Sequence, residues 1–470
     1  MRVDGLAQAQ QRMLERGVPQ QAIDVFSHYY KQLVAGATGM IPESEVEPLT
    51  GIERAASLDV DPEQVRAAAD ATVVIKLNGG LGTSMGMDRA KSLLPVRHGQ
   101  TFLDIIVGQV QHVRRTHGVR LPLVLMNSFR TAGDTRAALA AHPGIEVAGL
   151  PMDFVQNLEP RLLVDDLTPV DWPADPELEW CPPGHGDLYT ALQTSGILDQ
   201  LLDAGYLYAT VSNSDNLGAA PDPEMMAWFA GSGAPYAAEV CRRTLADVKG
   251  GHLVVRRSDG RLVLRETAQT PPDDVESASD LNRHRYFHTN NLWFDLRVLK
   301  KTLDERHGIL GLPLIRNRKV VDPADPGSPE VVQIETAMGA AVQVFDGATA
   351  IEVDRSRFLP VKTTNDLLLL RSDVYGVGED FRVRATVDPP LINLDKRFYG
   401  SIADFEARIP HVPSLAEAEA FTVRGDWSFG ADVVVAGEVT LDADQVEESA
   451  VKTGDAPGRG TRVAEGTRLG

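Results

Sequence analysis

"VVIKLNGGLGTSMGMDRAKSLLPV", Val73 to Val96, decides how the rest of the chain is read. It opens as a short continuous apolar run, the pattern of a strand buried on both faces. Gly79, Gly80, Gly82 and Gly86 follow at once. Glycine admits positive φ and has no Cβ to keep a phosphate at a distance. Successive free N–H groups in such a turn form an anion-binding nest. In open α/β sheets, ligands sit outside the carboxyl ends of strands, which is where this loop belongs. The spacing is neither that of the dinucleotide fingerprint nor that of a P-loop, which counts against NAD oxidoreductases and P-loop NTPases. The bland alternative is a tight strand-to-helix turn with no ligand. Four glycines, Thr83 and the distal Lys91 weigh against it.

Outward from that loop, strands and helices alternate. "TFLDIIVGQVQHVRRTHG" has Leu103, Ile106, Val107, Val110 and Val113 on one helical face. "LPLVLMNS" and "YLYATVSNSD" read as further buried strands, and "GDLYTALQTSGILDQLLDAG" as a long helix between them. "PYAAEVCRR" and "GHLVVRRSDGRLVL" add strands, the latter a hairpin turning at Ser258-Asp259-Gly260. Strands followed by crossover helices predict an α/β fold with a doubly wound, mainly parallel, Rossmann-like sheet over residues 71–376. Residues 1–70 read as an N-terminal helical segment, with "QAIDVFSHYYKQLVAG" at helical spacing and "DPEQVRAAADA" behind an Asp N-cap signal.

Residues 377–470 predict a different, C-terminal domain. From Phe421 the chain falls into blocks of six, with Val423, Phe429, Val435 and Leu441 at the third place. After a phase break, Val451, Val463 and Leu469 resume the spacing, with Pro457 in the missing slot. A hexapeptide period predicts coils of a β-helix. Two hairpins with alternating residues are the competing reading.

With 470 residues, two or three domains are expected. The apolar fraction of 43% and charged fraction of 24% are those of a globular protein. The polar N-terminus lacks a signal-peptide pattern. Cys181 and Cys241 lie far apart, without metal-ligand spacing, which predicts a reducing, cytoplasmic setting. A net charge of −20 repels nucleic acid and anionic membranes, so neither is an expected partner. The same charge repels phosphorylated substrates. A phosphate site here must therefore build its own positive field from N–H groups, selected lysines and a cation.

"KLNGGLGTSMG…AKS" resembles the nucleotide loop of the UTP–glucose-1-phosphate uridylyltransferases of eukaryotic type, also called UDP-glucose pyrophosphorylases. "LMNSF", "CPPGHGDLY", "VSNSDNLGA", "RTLADVKGGHL", "FHTNNLW", "IETAMGAA" and "RSRFLPVKTTNDLLLL" resemble that family's blocks in the same order. The resemblance is close from about Thr72 to Tyr375 and extends to the β-helix tail. It implies that UTP and glucose 1-phosphate give UDP-glucose and pyrophosphate, by in-line attack of the sugar phosphate on the α-phosphorus. The nucleophile is already an anion, so positioning and charge neutralisation dominate and no general base is needed.

The resemblance also implies site residues. Lys362 and Lys91 are the catalytic candidates, for which a solvated surface charge is the ordinary alternative; "RFLPV", just ahead of Lys362, reads as a strand that delivers its side chain. Leu77, Asn78, Gly79, Gly80, Gly82, Thr83, Met126, Gln156, Gly184, His185 and Asp215 would hold the nucleotide, with Met126 and Gln156 framing the uracil. Helix capping is the alternative for His185, and Asp187 is expected to cap in either case. Asp215 is the expected Mg²⁺ ligand, with an Asx-turn as the alternative. Asn213, Gly250, Gly251, Glu266, His288 and Asn290 would meet the sugar, with Lys249 beside them. The family usually has Asn where His288 stands, and commonly Lys at the place of Arg243, so glucose selectivity is open to test. A broad-specificity UDP-sugar pyrophosphorylase is the near alternative. The N-acetylglucosamine enzyme usually has Arg after G-x-G-T, where this chain has Ser84-Met85. A UDP-sugar-using glycosyltransferase and a non-catalytic scaffold stand further off. A homo-oligomer through the C-terminal β-helix is a further expectation.

Overall fold

In the computed structural model, which describes residues 4–244, 247, 250–445 and 461–470, Thr72–Asn78 forms the strand that the opening stretch predicts. Val73 and Ile75 point into one apolar core and Val74 into another, because successive side chains alternate across a sheet. The strand pairs in parallel with Tyr208–Asn213 on one side and Leu123–Asn127 on the other. Asp153–Val155 continues the sheet in parallel at one edge. Towards the other edge, Tyr286–Asp295 runs antiparallel to both Tyr208–Asn213 and Tyr236–Arg242. Thr349–Glu352 and Glu53–Arg54 complete that side in parallel. The fold is mixed α/β around a mainly parallel central sheet. The hairpin of His252–Arg256 and Leu262–Arg265 joins it at Phe287.

Helix Phe102–His117 covers one face. Thr101 and Asp104 form a capping box at its start, and Gly118 ends it in the left-handed conformation. Leu103, Ile106, Val107, Val110 and Val113 are all buried in the core that holds Val74, the face the spacing predicts. Helices Gly5–Glu15 and Gln20–Val34 pack Met13, Phe26 and Tyr30 against Leu162, Trp180 and Ile334. They thereby back a separate ribbon, Ile315–Val320 against Glu330–Glu335.

Some expectations need correction. The stretch after Gly186 is two helices, Leu188–Thr194 and Ile197–Asp203. Gly196 stands between them at φ 76°, a left-handed turn that ends the first helix. The first 70 residues are not wholly helical, because Val46–Pro48 and Glu53–Arg54 join the central sheet. Strands so short show no period in sequence. The approach to Lys362 is no strand either. It is an irregular segment with one bridge, Asn216 to Pro360, and Pro360 has no N–H to extend a ladder. Asp187 does not cap its helix with its side chain. Its carboxylate accepts from Asn157 N and Asn157 Nδ2 instead.

In the tail, Leu391–Leu394, Ser414–Arg424, Val434–Asp442 and Arg468–Leu469 pair in that order, all in parallel. Trp427–Phe429 pairs in parallel with Thr461–Val463. Val423, Phe429, Val435 and Val463 are buried, and Leu441 and Leu469 pack against the same core. Val451 and Pro457 lie outside the described residues. No helix among the described residues is long and apolar enough to cross a membrane.

Candidate active site

A cleft of about 440 Å³ opens at the carboxyl ends of the central strands. Leu77, Gly79, Gly80, Lys91, Met126, Gln156, Gly184, His185, Asn213 and Asp215 line it. Parallel pairing explains why residues so distant in sequence meet. Leu77 lies opposite both Met126 and Asn213 on the flanking strands, so three strand ends and the turns beyond them share one rim.

The glycine loop is closed by its own backbone. Lys91 N donates to Gly80 O at 3.1 Å, which folds the lysine back over the start of the loop. Gly82 and Gly86 have φ of 67° and 71°, where a side chain would be strained. A Cβ on Gly79 would stand 3.0 Å from Gln156 Nε2, whereas one on Gly80 would meet nothing. Gly79 thus makes room for Gln156, and Gly80 leaves the loop backbone open. Asn78 does not face the cleft. Its amide donates to Asn127 Oδ1 and Thr135 Oγ1, tying the loop to the neighbouring strand. Gly82 and Thr83 lie beyond the lining as well.

Lys91 Nζ donates to Asp215 Oδ2 at 2.6 Å, and also to the Val361 carbonyl. Asp215 Oδ1 is buried and has no partner among the described residues. Beneath this pair lies Lys76, fully buried, a residue the sequence reading passed over. It donates to Ser212 Oγ and Ala219 O, across the base of the Asp215 turn. Burial, aided by the nearby Arg357 charge, lowers its pKa to about 7.

The His185 loop is fastened to "IETAMG". Gly186 N donates to Thr336 O at 2.8 Å, and Met338 N donates to His185 Nδ1 at 3.0 Å. A Cβ on Gly184 would lie 2.7 Å from Thr336 O, so only glycine fits. Desolvation lowers the His185 pKa to about 4. The ring is therefore neutral, with Nδ1 accepting and Nε2 left as a donor.

The sugar-side candidates form an adjoining cluster. His288 N donates to Gly251 O at 3.0 Å, and Asn290 N donates to His288 Nδ1 at 3.2 Å. Asn290 holds φ of 60°, a strained value for a non-glycine residue. A Cβ on Gly251 would meet Glu266 Oε2 at 2.6 Å, and one on Gly250 would meet the Phe287 ring at 1.9 Å. Burial raises the Glu266 pKa, and the Lys362 charge opposes the rise, which places Lys362 in electrostatic reach of Glu266. Lys362 itself is exposed. His288 is buried and its pKa falls to about 4, through burial first, with protonation of the nearby His185 also disfavouring its own. Met338 and Gly339 thus link the two clusters, for a Cβ on Gly339 would lie 2.6 Å from His288 Cε1. Lys249 lies outside the described residues. Arg243 donates to the Ala278 and His284 carbonyls, in a supporting place.

Arg161, Cys181, Lys319, Gln333 and Glu335 also line the cleft and were missed in the sequence. They come from the separate ribbon and the segment packed on it. Lys319 Nζ donates to Gln333 Oε1 at 3.1 Å, and Arg161 Nη1 donates to Val321 O at 2.7 Å. Two added cations answer the problem posed by the net charge.

Backbone donors, lysines, the Asp215 carboxylate and the carboxyl edge of a parallel sheet define a transferase that handles nucleotide phosphates. The comparisons narrow that class. The family model described as UTP–glucose-1-phosphate uridylyltransferase matches residues 23–436. The barley enzyme of that name is 41% identical over 390 residues, 82% of this chain and 80% of its own. The Saccharomyces cerevisiae enzyme is 40% identical over 375 residues, 78% of this chain and 73% of its own. Among solved structures, the Leishmania major UDP-glucose pyrophosphorylase, known in open and closed forms, superposes with a TM-score of 0.89 at 41% identity. That match covers 99% of this chain and 98% of the other. The chain belongs to the UTP–glucose-1-phosphate uridylyltransferase family, whose members are nucleotidyltransferases.

Proposed function

We propose that the protein joins UTP and glucose 1-phosphate into UDP-glucose and pyrophosphate. The observation that carries this reading is the Lys91–Asp215 pair at the mouth of the glycine loop, with Val361 accepting from the same ammonium. The sugar-phosphate oxygen attacks the α-phosphorus, the bond to pyrophosphate breaks, and the charge that leaves needs neutralising. Gly79 and Gly80 present backbone to the phosphates. Gln156 and Met126 frame the base. His185 offers Nε2–H, and Lys362 lies on the sugar side, within electrostatic reach of Glu266.

Mg²⁺ fits at Asp215. One carboxylate oxygen has no partner among the described residues. Among the described residues no cluster of three or more His, Cys, Asp or Glu offers a complete metal site. Phosphate oxygens and water would therefore complete the shell, the usual habit of this ion. When bound, the ion supplies neutralisation of phosphate charge.

We read the chain as three units, 1–70, 71–376 and 377–470, and the last as a short β-helix. Its parallel strands and the buried Val423, Phe429 and Val435 support this. Leu391–Leu394 is an edge strand of that sheet, and Leu391 is 77% exposed, which supports self-association there. Leu391→Lys should lower the sedimentation coefficient, and an unchanged value would refute the oligomer. The buried, unlinked Cys181 and Cys241 support a cytoplasmic setting.

The test of function is pyrophosphate release from UTP and Mg²⁺, with glucose 1-phosphate and galactose 1-phosphate side by side. Release with glucose 1-phosphate is the expected result. Equal release with both sugars would move the protein to the broad-specificity class. Release with neither would refute the reading.

A further inference from the structure

Glu239 lies at the centre of the Tyr236–Arg242 strand with no solvent exposure at all. Its carboxylate accepts from Arg357 Nε at 2.8 Å and Arg357 Nη2 at 2.7 Å, a two-pronged pair. Asn291 Nδ2 and Trp293 Nε1 each donate to it at 3.0 Å. None of these groups lines the cleft. A buried carboxylate with all its lone pairs engaged is costly to assemble and does not arise from packing alone.

The network leads to Lys362. Arg357 O accepts from Asn216 Nδ2 at 3.1 Å and from Asn291 Nδ2 at 3.2 Å. Asn216 Oδ1 in turn accepts from Leu359 N at 2.8 Å. Val361 N donates to Asp215 O at 3.2 Å. A Cβ on Gly218 would lie 2.2 Å from Ser356 O, so segment 356–361 lies flat on the Asp215 turn. On its far side, Asp366 Oδ2 accepts from Lys362 N and Thr363 N, within the capping box of helix Thr364–Arg371. The segment has a single bridge of regular pairing, so these polar contacts decide where it runs.

We propose that Glu239, through Arg357, is a positioning residue for Lys362. It fixes a strap with little regular pairing of its own, so that the lysine is presented to the reacting phosphates. The same carboxylate grips Asn291, next to Asn290, and so keeps the sugar-side strand and the strap in one register. Arrangements of this kind act on the transition state, because small displacements of a charged group there reduce rate steeply. The inference rests on the role of Lys362 proposed above.

The experiment is a double-mutant cycle of Glu239→Gln with Lys362→Ala, read as kcat and KM for UTP. Glutamine keeps the volume and removes the charge that holds both prongs of Arg357. E239Q alone should lower kcat by about tenfold or more, with KM for UTP changed less than about threefold. Added to K362A, it should lower kcat no further. If the two losses multiply independently, or if E239Q leaves kcat intact, the strap is overturned while the role of Lys362 stands. If K362A itself turns over at the parental rate, the role of Lys362 fails, and the inference with it. Should E239Q not fold, Arg357→Lys enters the same cycle, since a lysine keeps the charge and loses the fork.

Discussion

Lys91 Nζ stands 2.6 Å from Asp215 Oδ2 and also donates to the carbonyl of Val361, one residue before Lys362. One ammonium thus touches the proposed metal ligand and the strap that bears the second lysine. Lys91→Ala should therefore disturb both. Turnover should fall by roughly 10²–10³, and the Mg²⁺ concentration for half-maximal rate should shift as well. A Mg²⁺ titration of the variant reads both effects. Unchanged Mg²⁺ dependence would separate Lys91 from Asp215.

Lys362→Ala should act on turnover rather than on binding. Its side chain is exposed, and burial raises the Glu266 pKa while the Lys362 charge opposes that rise. With kcat lowered roughly 10²–10³-fold, KM for UTP should stay within a few-fold of the parent. A raised KM at full kcat would assign it to ground-state binding.

The two glycines at the loop's start should behave differently. Gly79→Ala pushes a methyl to 3.0 Å from Gln156, while Gly80→Ala meets open space within the protein. The first should raise KM for UTP several-fold with little effect on the melting temperature. The second should matter only when phosphates are bound. Equilibrium binding of uridine, which has no phosphates, distinguishes them: only the Gly79 variant should lose it.

His185 and His288 both have pKa values lowered from 6.5 to about 4. The unfolded chain takes up these protons first as pH falls. Stability is thus fully present above about 6.5 and is lost progressively as pH falls towards 4. Melting temperatures measured between pH 7 and 4 should decline, and His185→Gln should flatten the decline. Between pH 6 and 8, kcat/KM should show no ionisation from either ring. A bell limb near 6.5 that vanishes in the His185 variant would contradict this.

His288 stands where the family usually has asparagine. Its Nδ1 is occupied by Asn290 N, so Nε2 bears the proton and can only donate. His288→Asn should alter the ratio of kcat/KM for glucose 1-phosphate to that for galactose 1-phosphate. A change of about tenfold is the scale expected for one hydroxyl contact. An unchanged ratio would remove this residue from sugar selection.

Much of this was legible in the sequence because strand order places local motifs on one rim. "VVIKLNGG", "LVLMNS" and "TVSNSD" each read as a buried strand with a polar end, and parallel pairing brings those ends together. The misreadings have local causes. Ser195-Gly196 inside an apolar period concealed a left-handed break, and two- or three-residue strands leave no pattern. Lys319 reaches the cleft from a ribbon backed by the N-terminal helices, and Arg161 from the segment packed on that ribbon, contacts no local signal records. Glu239 did leave a sign, a lone acidic residue in "YAAEVC". Only the fold reveals that its partner is Arg357, 118 residues away.

Gly79 belongs to a motif read as a phosphate cradle, yet its missing Cβ is space taken up by the Gln156 amide. On the proposed assignment, the bare Cα of that glycine is an heirloom of base choice, even while its backbone serves the phosphates. Lineages that kept the sugar but exchanged the base should be free to refill position 79 once residue 156 has changed. The two positions should therefore drift as a pair, while Gly80 is inherited alone.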